Sequence, residues 1–178
     1  MDVHIRQENP ADYPQVFEVV EAAFRGEAMS DKTEQFLVER LRKSTSFIEG
    51  LSIVGECEGE VVGHILLTKI QIKNEQESFE SLALAPVSVK PDFQGKGIGG
   101  KLIRHAHECA KDLGFKSIVL LGHESYYPRF GYELTSQYNI ELPFEAPEAN
   151  CMVIELVENG LKGVSGVVEY DKAFFEAT

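Results

Sequence analysis

The residues with the clearest potential for chemistry form a glycine-dense turn in the middle of the chain. The turn consists of Gln94, Gly95, Lys96, Gly97, Ile98, Gly99 and Gly100. An extended apolar segment and a proline precede it, and a long amphipathic segment follows it. This layout places unpaired backbone N–H groups at the positive end of a helix, where a phosphate group is readily held. The turn therefore predicts a site for a phosphate-bearing compound.

Three kinds of phosphate-binding turn compete for this pattern. A P-loop requires Lys followed by Ser or Thr after its last glycine, and that pair is missing here. The dinucleotide fingerprint Gly-x-Gly-x-x-Gly matches residues 95–100 by spacing, but it also needs an acidic residue at the end of the next strand. His123 and Glu124 come too late for that role. The spacing favours the third kind, Gln-x-x-Gly-x-Gly.

The turn resembles the pyrophosphate loop of the GCN5-related N-acetyltransferase (GNAT) superfamily, whose signature is Gln/Arg-x-x-Gly-x-Gly/Ala. A second segment resembles the Tyr-x-x-x-Gly-Phe motif of the same family, and it reads Tyr127-Pro128-Arg129-Phe130-Gly131-Tyr132. The order of elements is also similar to that family from about residue 3 to residue 142. The resemblance implies an acyl-CoA N-acyltransferase fold and acetyl-CoA as co-substrate.

The resemblance also implies which residues hold the co-substrate. Backbone groups of Val87, Ser88 and Val89 would meet the pantetheine arm, and the backbone amides of the turn would wrap the pyrophosphate. The implied turn residues are Gln94, Gly95, Lys96, Gly97, Ile98, Gly99 and Gly100, with Ile98 buried beneath the turn. Glycine is needed there because a Cβ would block the phosphates or forbid the required φ. Lys96, and Lys101 or Arg104, would reach outer phosphate oxygens, although solvated helix-face charges are an alternative.

Members of the family transfer the acyl group directly from the thioester to an amine in a ternary complex. A backbone N–H near Val87 would stabilise the oxyanion, and Tyr127 matches the tyrosine that protonates the CoA sulfur. Tyr126 could exchange roles with Tyr127, or Tyr127 could only line the CoA tunnel. His123 and Glu124 are the candidate general bases, with Glu80 and His64 as further alternatives. No metal is implied.

Several elements must position these residues, and their patterns predict a mixed α/β fold. We expect a largely antiparallel sheet with one parallel βαβ crossover, flanked by helices. Pro86 cannot donate a ladder hydrogen bond, so its strand should show an edge, a bulge or a splay. Ser30 and Asp31 should cap the second of two early helices, and Gly114 should end the long helix that begins at Ile98. Strands are predicted at residues 3–6, 47–57, 61–72, 80–89, 117–121, 138–142 and 152–157.

Length and composition suit one domain over residues 1–178, with a core at about 3–142 and terminal strands at about 150–178. The net charge of −12 disfavours nucleic acid as a partner, yet residues 90–116 carry six basic side chains against three acidic ones. This basic patch could surround the turn or be a solvated helix face. We expect no signal peptide, no membrane span and three reduced cysteines, as in a cytoplasmic protein.

Together these features predict a cytoplasmic N-acetyltransferase that moves an acetyl group from acetyl-CoA to a primary amine on a small molecule or peptide. Two alternatives stay open. One is a non-catalytic module that senses acyl-CoA, and the other is an acyltransferase with a different acyl donor or acceptor. A homodimer formed through residues 152–178 is compatible with the sequence.

Overall fold

The computed structural model describes residues 2–28 and 30–176 of the chain. The helices in this part are α1 (Tyr13–Phe24), α2 (Glu34–Arg42) and α3 (Ile98–Asp112). The strands are β1 (His4–Gln7), β2 (Ser52–Cys57), β3 (Glu60–Lys73), β4 (Ser78–Val89), β5 (Ser117–Leu121), β6 (Glu133–Leu134), β7 (Ile140–Glu141), β8 (Cys151–Glu155) and β9 (Gly166–Glu169). Short 3₁₀ turns connect several of these elements.

The described strands form one mixed sheet in the order β1-β2-β3-β4-β5-β8-β6, and β9 pairs with both β3 and β7. Strands β4 and β5 are parallel and are joined by α3, while most other pairs are antiparallel. The predicted mixed sheet with a helical crossover is therefore confirmed. A second parallel pair joins β7 to β9 over two residues. Strands this short leave almost no periodic signal in a sequence, so this pair was not predicted.

Helices cover both faces of the sheet. The face under α1 and α2 is packed by buried apolar side chains that include Val16, Val20, Val38, Leu41 and Leu66. The other face is packed by a stripe of α3 with four-residue spacing, formed by Ile98, Leu102, Ala106 and Ala110. Complete burial of a side chain such as Leu102 contributes roughly 1.5–3 kcal/mol. This stripe fixes the start of α3, and hence the glycine turn, against the sheet.

The sheet opens between β4 and β5. Ala85 and Pro86 together lie opposite the single residue Leu66 of β3, which is a β-bulge. The parallel pairing between β4 and β5 ends at Ala83, while β4 continues to Val89 and β5 to Leu121. The two strands therefore diverge and leave a gap between residues 84–89 and the end of β5. The irregularity predicted from Pro86 is confirmed as both a bulge and a splay.

Two predicted boundaries are wrong. Ser30 and Asp31 do not cap α2, which begins at Glu34 with Thr33 at its N-cap. Asp31 instead folds into a local turn in which its carboxylate accepts hydrogen bonds from the N–H and hydroxyl of Thr33, at 2.9 and 2.6 Å. The strand predicted from residue 47 begins only at Ser52, because residues 49–51 form a 3₁₀ turn.

The cysteines are free thiols: Cys57 and Cys151 are buried and Cys109 is half-buried. Among the described residues, no helix combines the length and apolar character that crossing a membrane would require.

Candidate functional site

The start of α3 is an open cradle of backbone amides. Gly97 is the N-cap and has φ of +82°, and Gly95 has φ of +76°, conformations that residues with a Cβ rarely adopt. No side chain caps the helix. Among the described residues, the N–H groups of residues 95–100 have no hydrogen-bond acceptor, whereas Lys101 N–H donates to the Gly97 carbonyl at 3.1 Å. Six consecutive amides are thus free at the positive end of a 15-residue helix.

Two side chains, those of Ile98 and Gln94, hold the cradle against the rest of the fold. Ile98 is 2% exposed and packs into the core under α3, as predicted. The side-chain amide of Gln94 donates a hydrogen bond to the Val89 carbonyl at 3.0 Å. Gln94 therefore ties the turn to the end of β4, so that the cradle lies next to the gap between β4 and β5.

The backbone of β4 presents alternate residues to that gap. Lys90 N–H donates to the Val62 carbonyl of the neighbouring strand at 2.9 Å, so Lys90 faces β3. Because pairing alternates along an antiparallel strand, Ser88 also faces β3, while Val87 and Val89 direct their N–H and C=O groups into the gap. The structure thus brings Val87 and Val89 to the gap. Ser88 is placed differently, since its side chain is buried at 2% exposure and its main chain pairs with β3.

The tyrosine segment lies across the gap from β4. Tyr127 begins a 3₁₀ turn over residues 127–130, and its ring packs edge-on between Tyr126 and Tyr132, with centroids 5.1 and 5.8 Å away. The hydroxyl of Tyr127 has no hydrogen-bond partner among the described residues, although its oxygen is not fully enclosed. Burial raises the pKa of Tyr127 above its ordinary value. This phenol therefore keeps its proton at neutral pH.

Tyr126 occupies a different place. Its hydroxyl lies 3.0 Å from the position that a Cβ on Gly99 would occupy, so it covers the first turn of α3. Burial raises its pKa, while Arg129 and Arg104 oppose that shift. Tyr126 thus lies at the cradle, whereas Tyr127 lies near the end of β5.

The candidate bases His123 and Glu124 are consecutive residues after β5 and have different neighbours. His123 is exposed, and its Nε2 lies 3.5 Å from a carboxylate oxygen of Glu27 in the connection between α1 and α2. Glu124 lines a shallow cleft of about 350 Å³ together with residues of β6 and β8. Since β8 flanks β5 on the side away from β4, this cleft lies on the far side of β5 from the gap.

His64, the further candidate, lies within the face covered by α1 and α2. Its Nε2 is 3.0 Å from the Ser52 hydroxyl and 3.5 Å from a carboxylate oxygen of Glu8, which also binds Arg42 at 2.7 Å. All four side chains are buried, and burial lowers the pKa of His64 to about 4. This cluster is a structural polar network rather than a solvent-facing base.

Two contributors were missed by sequence analysis. A Cβ on Gly122 would lie 2.4 Å from Cε2 of Tyr127, so only glycine leaves room for that ring. Asn150 clamps Gly122 with two hydrogen bonds of 2.9 Å, one in each direction. The glycine directly after an apolar strand was a readable signal. No pattern in the sequence points to Asn150, because it lies 28 residues from Gly122 along the chain.

The family model of the acetyltransferase (GNAT) domain matches residues 4–135. The chain belongs to the GNAT acetyltransferase family. Among curated GNAT proteins, it is 28% identical to the uncharacterized N-acetyltransferase YhbS of Escherichia coli over 96% of this chain and 97% of that one. It is 39% identical to the uncharacterized N-acetyltransferase YjhQ of the same species, in a match that spans 65% of this chain and 64% of YjhQ.

Two solved GNAT structures support the same assignment. YhbS from Escherichia coli, in complex with CoA, superposes with a TM-score of 0.84 at 27% identity and covers 99% of this chain and 93% of that one. A GNAT acetyltransferase from Brucella melitensis, in complex with acetyl-CoA, gives a TM-score of 0.79 at 34% identity over 97% and 98% of the two chains. The predicted superfamily and fold are confirmed, and the chain is an acetyltransferase.

Proposed function

We propose that this GNAT protein transfers the acetyl group of acetyl-CoA directly to a primary amine held in a ternary complex. The observation that carries the proposal is the juxtaposition of six free amides at the start of α3 with the open gap between β4 and β5. A phosphate-bearing chain that lies in this gap would find donors at one end and a phenol at the other. The CoA and acetyl-CoA complexes of the two solved relatives support this choice of ligand.

The amides of residues 95–100 would hold the diphosphate of acetyl-CoA. Their N–H groups converge at a helix N-terminus, where the helix dipole favours negative charge. Gly95 and Gly97 supply the left-handed conformations, and nothing lies within 4 Å of a Cβ built on either. The space is therefore open to a ligand, and a side chain there would compete with it.

The gap-facing backbone of β4 would hold the arm of acetyl-CoA as an added strand. Val87 supplies an N–H and a C=O group and Val89 supplies an N–H group at strand spacing, which is how an extended chain pairs with a free sheet edge, while the Val89 carbonyl accepts a hydrogen bond from Gln94. The Val87 N–H would also donate to the carbonyl oxygen of the thioester, which gains negative charge when the amine attacks.

Tyr127 would complete the transfer as general acid. The amine nitrogen forms a bond to the carbonyl carbon, the carbon–sulfur bond breaks, and the hydroxyl of Tyr127 gives its proton to the departing thiolate. The amine loses one proton in the same reaction. We assign that proton to His123, whose Nε2 lies 3.5 Å from a carboxylate oxygen of Glu27.

Calorimetric titration with acetyl-CoA tests the binding half of this proposal. We expect saturable binding to the native protein and at least a hundredfold weaker binding to Gly97→Val. The matched control is Gly163→Val, since Gly163 has φ of +77° and nothing within 4 Å of its Cβ position. Both variants carry the same backbone strain, but only one blocks the cradle. Equal affinity in the two variants, or no binding to the native protein, would overturn the proposal.

Release of free CoA thiol tests the transfer half. The acceptors are a polyamine, a free amino acid, a peptide with a free N-terminus and a peptide with an internal lysine. Mass spectrometry of the product should show one added acetyl group on one class of amine, with turnover lowered at least a hundredfold in Tyr127→Phe. Binding without turnover on every amine would reject the proposed reaction, while leaving the acetyl-CoA site in place.

A further inference from the structure

Two arginines flank the start of α3, and each lies over an aromatic ring. The guanidinium of Arg104 lies 5.0 Å from the centre of the Phe130 ring, and that of Arg129 lies 4.8 Å from the centre of the Tyr126 ring. The two rings pack edge-on with centroids 5.2 Å apart. Cation–π contacts of this kind hold guanidinium groups in fixed positions. The four side chains form one unit, which we name the arginine–aromatic cluster.

This cluster lies directly beside the amide cradle. Nη1 of Arg104 is 3.1 Å from the position of a Cβ on Gly100, and the Tyr126 hydroxyl is 3.0 Å from that of a Cβ on Gly99. A ligand held by the amides of residues 95–100 would therefore lie beside Arg104 and beside the Tyr126 ring, over which Arg129 lies.

Neither guanidinium has a carboxylate partner among the described residues. Within the part of the chain that the structure describes, Arg129 donates only to the backbone carbonyls of Tyr126 and Ser125, at 3.0 and 3.4 Å, and Arg104 makes no hydrogen bond. By contrast, Arg6 and Arg42 each bind carboxylates within 2.8 Å. In a chain of net charge −12, two guanidinium groups that lie over two contacting rings and have no carboxylate partner among the described residues require an explanation. An anionic ligand supplies one.

We propose that Arg104 and Arg129 bind the 3′-phosphate of CoA and make the protein selective for CoA over dephospho-CoA. This inference rests on the proposed function, in which the diphosphate occupies the amides of residues 95–100. The remaining anionic group of CoA is its 3′-phosphate, which carries a charge of about −1.5 to −2 near pH 7. Planar guanidinium forks match the oxygens of such a group with paired donors, which an ammonium group cannot do.

The test is calorimetric titration of the native protein, Arg129→Gln and Arg104→Gln with CoA and with dephospho-CoA. The native protein should bind CoA at least tenfold more tightly than dephospho-CoA. Each variant should lose most of that preference, while its Kd for dephospho-CoA changes less than twofold. The control is Lys162→Gln, which removes the same charge from an exposed site outside the cluster and should keep the preference.

The outcomes separate this inference from the proposed function. Equal affinity of the native protein for the two ligands rejects the 3′-phosphate contact but leaves the acetyl-CoA site standing. If the variants bind both ligands more weakly to the same extent, the arginines contact the diphosphate or support the fold. That result also rejects the inference. Failure of the native protein to bind either ligand overturns both proposals. Arg129 is exposed and bonds only to carbonyls of its own turn, so its variant should fold even if Arg104→Gln does not. Thermal unfolding checks this.

Discussion

Substitution of Gly122 by alanine should displace Tyr127, the proposed general acid, while retaining its hydroxyl group. The added Cβ would lie 2.4 Å from Cε2 and 2.9 Å from Cδ2 of Tyr127. Non-bonded carbon atoms require about 3.5 Å or more, so the two groups must separate by about 1 Å. The backbone of Gly122 is held by its two hydrogen bonds to Asn150, and the ring of Tyr127 is the part that must move.

The size of the effect follows from that displacement. A shift of 1 Å in a catalytic group costs on the order of a hundredfold in rate. We therefore expect kcat to fall by about 100-fold in Gly122→Ala, measured by thiol release at saturating acetyl-CoA with the best amine of the panel. The Kd for acetyl-CoA should change far less, because residues 95–100 are untouched. Overpacking of the core should lower the free energy of unfolding by about 1–3 kcal/mol, measured in urea.

A matched control and a double variant make this prediction refutable. Gly50→Ala should leave kcat unchanged, because its Cβ would meet only the Leu113 side chain at an ordinary 3.8 Å. In a Tyr127→Phe background the proton donor is already absent, so Gly122→Ala should lower kcat by less than about threefold further. A full 100-fold loss in that background would show that Gly122 acts through some other group. Native-like kcat in the single variant would refute the steric argument itself.

Three further predictions concern the buried ionisable groups. Burial lowers the pKa of His64 from 6.5 to about 4, so between these values the unfolded chain binds a proton that the folded chain does not. The resulting stability is complete above pH 6.5 and falls by about 3 kcal/mol toward pH 4. Urea unfolding should show this slope, and it should be reduced in His64→Gln; parallel pH profiles would contradict it. Burial raises the pKa of Tyr127, so kcat should not fall between pH 7.5 and 10 through loss of its proton. A falling limb there that disappears in Tyr127→Phe would count against this. Finally, Arg42→Met leaves the buried carboxylate of Glu8 without its cation and should cost about 3–5 kcal/mol in urea unfolding, whereas a loss below 1 kcal/mol would show that the pair is dispensable.

Local patterns were enough to predict the scaffold of the site. The stripe from Ile98 to Ala110 has helical spacing over its whole length, and the glycines before it demand a left-handed turn at Gly97. Pro86 signals a break in strand pairing because it lacks an N–H group. These features depend on neighbours in the sequence, so a sequence alone conveys them.

One local turn that competes with a helix cap, and several features that depend on distant partners, were not predictable in this way. The boundary of α2 was misplaced because Asp31 satisfies the N–H of Thr33 in a local turn, although an acidic residue there looks like a cap. The contact between His123 and Glu27 joins residues 96 positions apart, and no local pattern around either residue predicts it. The clamp of Asn150 on Gly122 is likewise a product of the pairing between β5 and β8.

The gap between β4 and β5 coincides with an irregularity of β4 at Pro86, which lacks a backbone N–H. Without an N–H, this residue cannot continue the ladder, and the bulge it forms with Ala85 changes the course of β4 after its parallel contact with β5 has ended at Ala83. The N–H and C=O groups of Val87 and the N–H of Val89 then face the gap rather than a neighbouring strand, whereas the Val89 carbonyl accepts a hydrogen bond from Gln94. An uncovered sheet edge inside a folded protein would normally leave polar groups unsatisfied. Here that edge runs directly to the free amides of residues 95–100, so the unsatisfied groups of the strand and of the helix form one continuous surface for a single extended ligand.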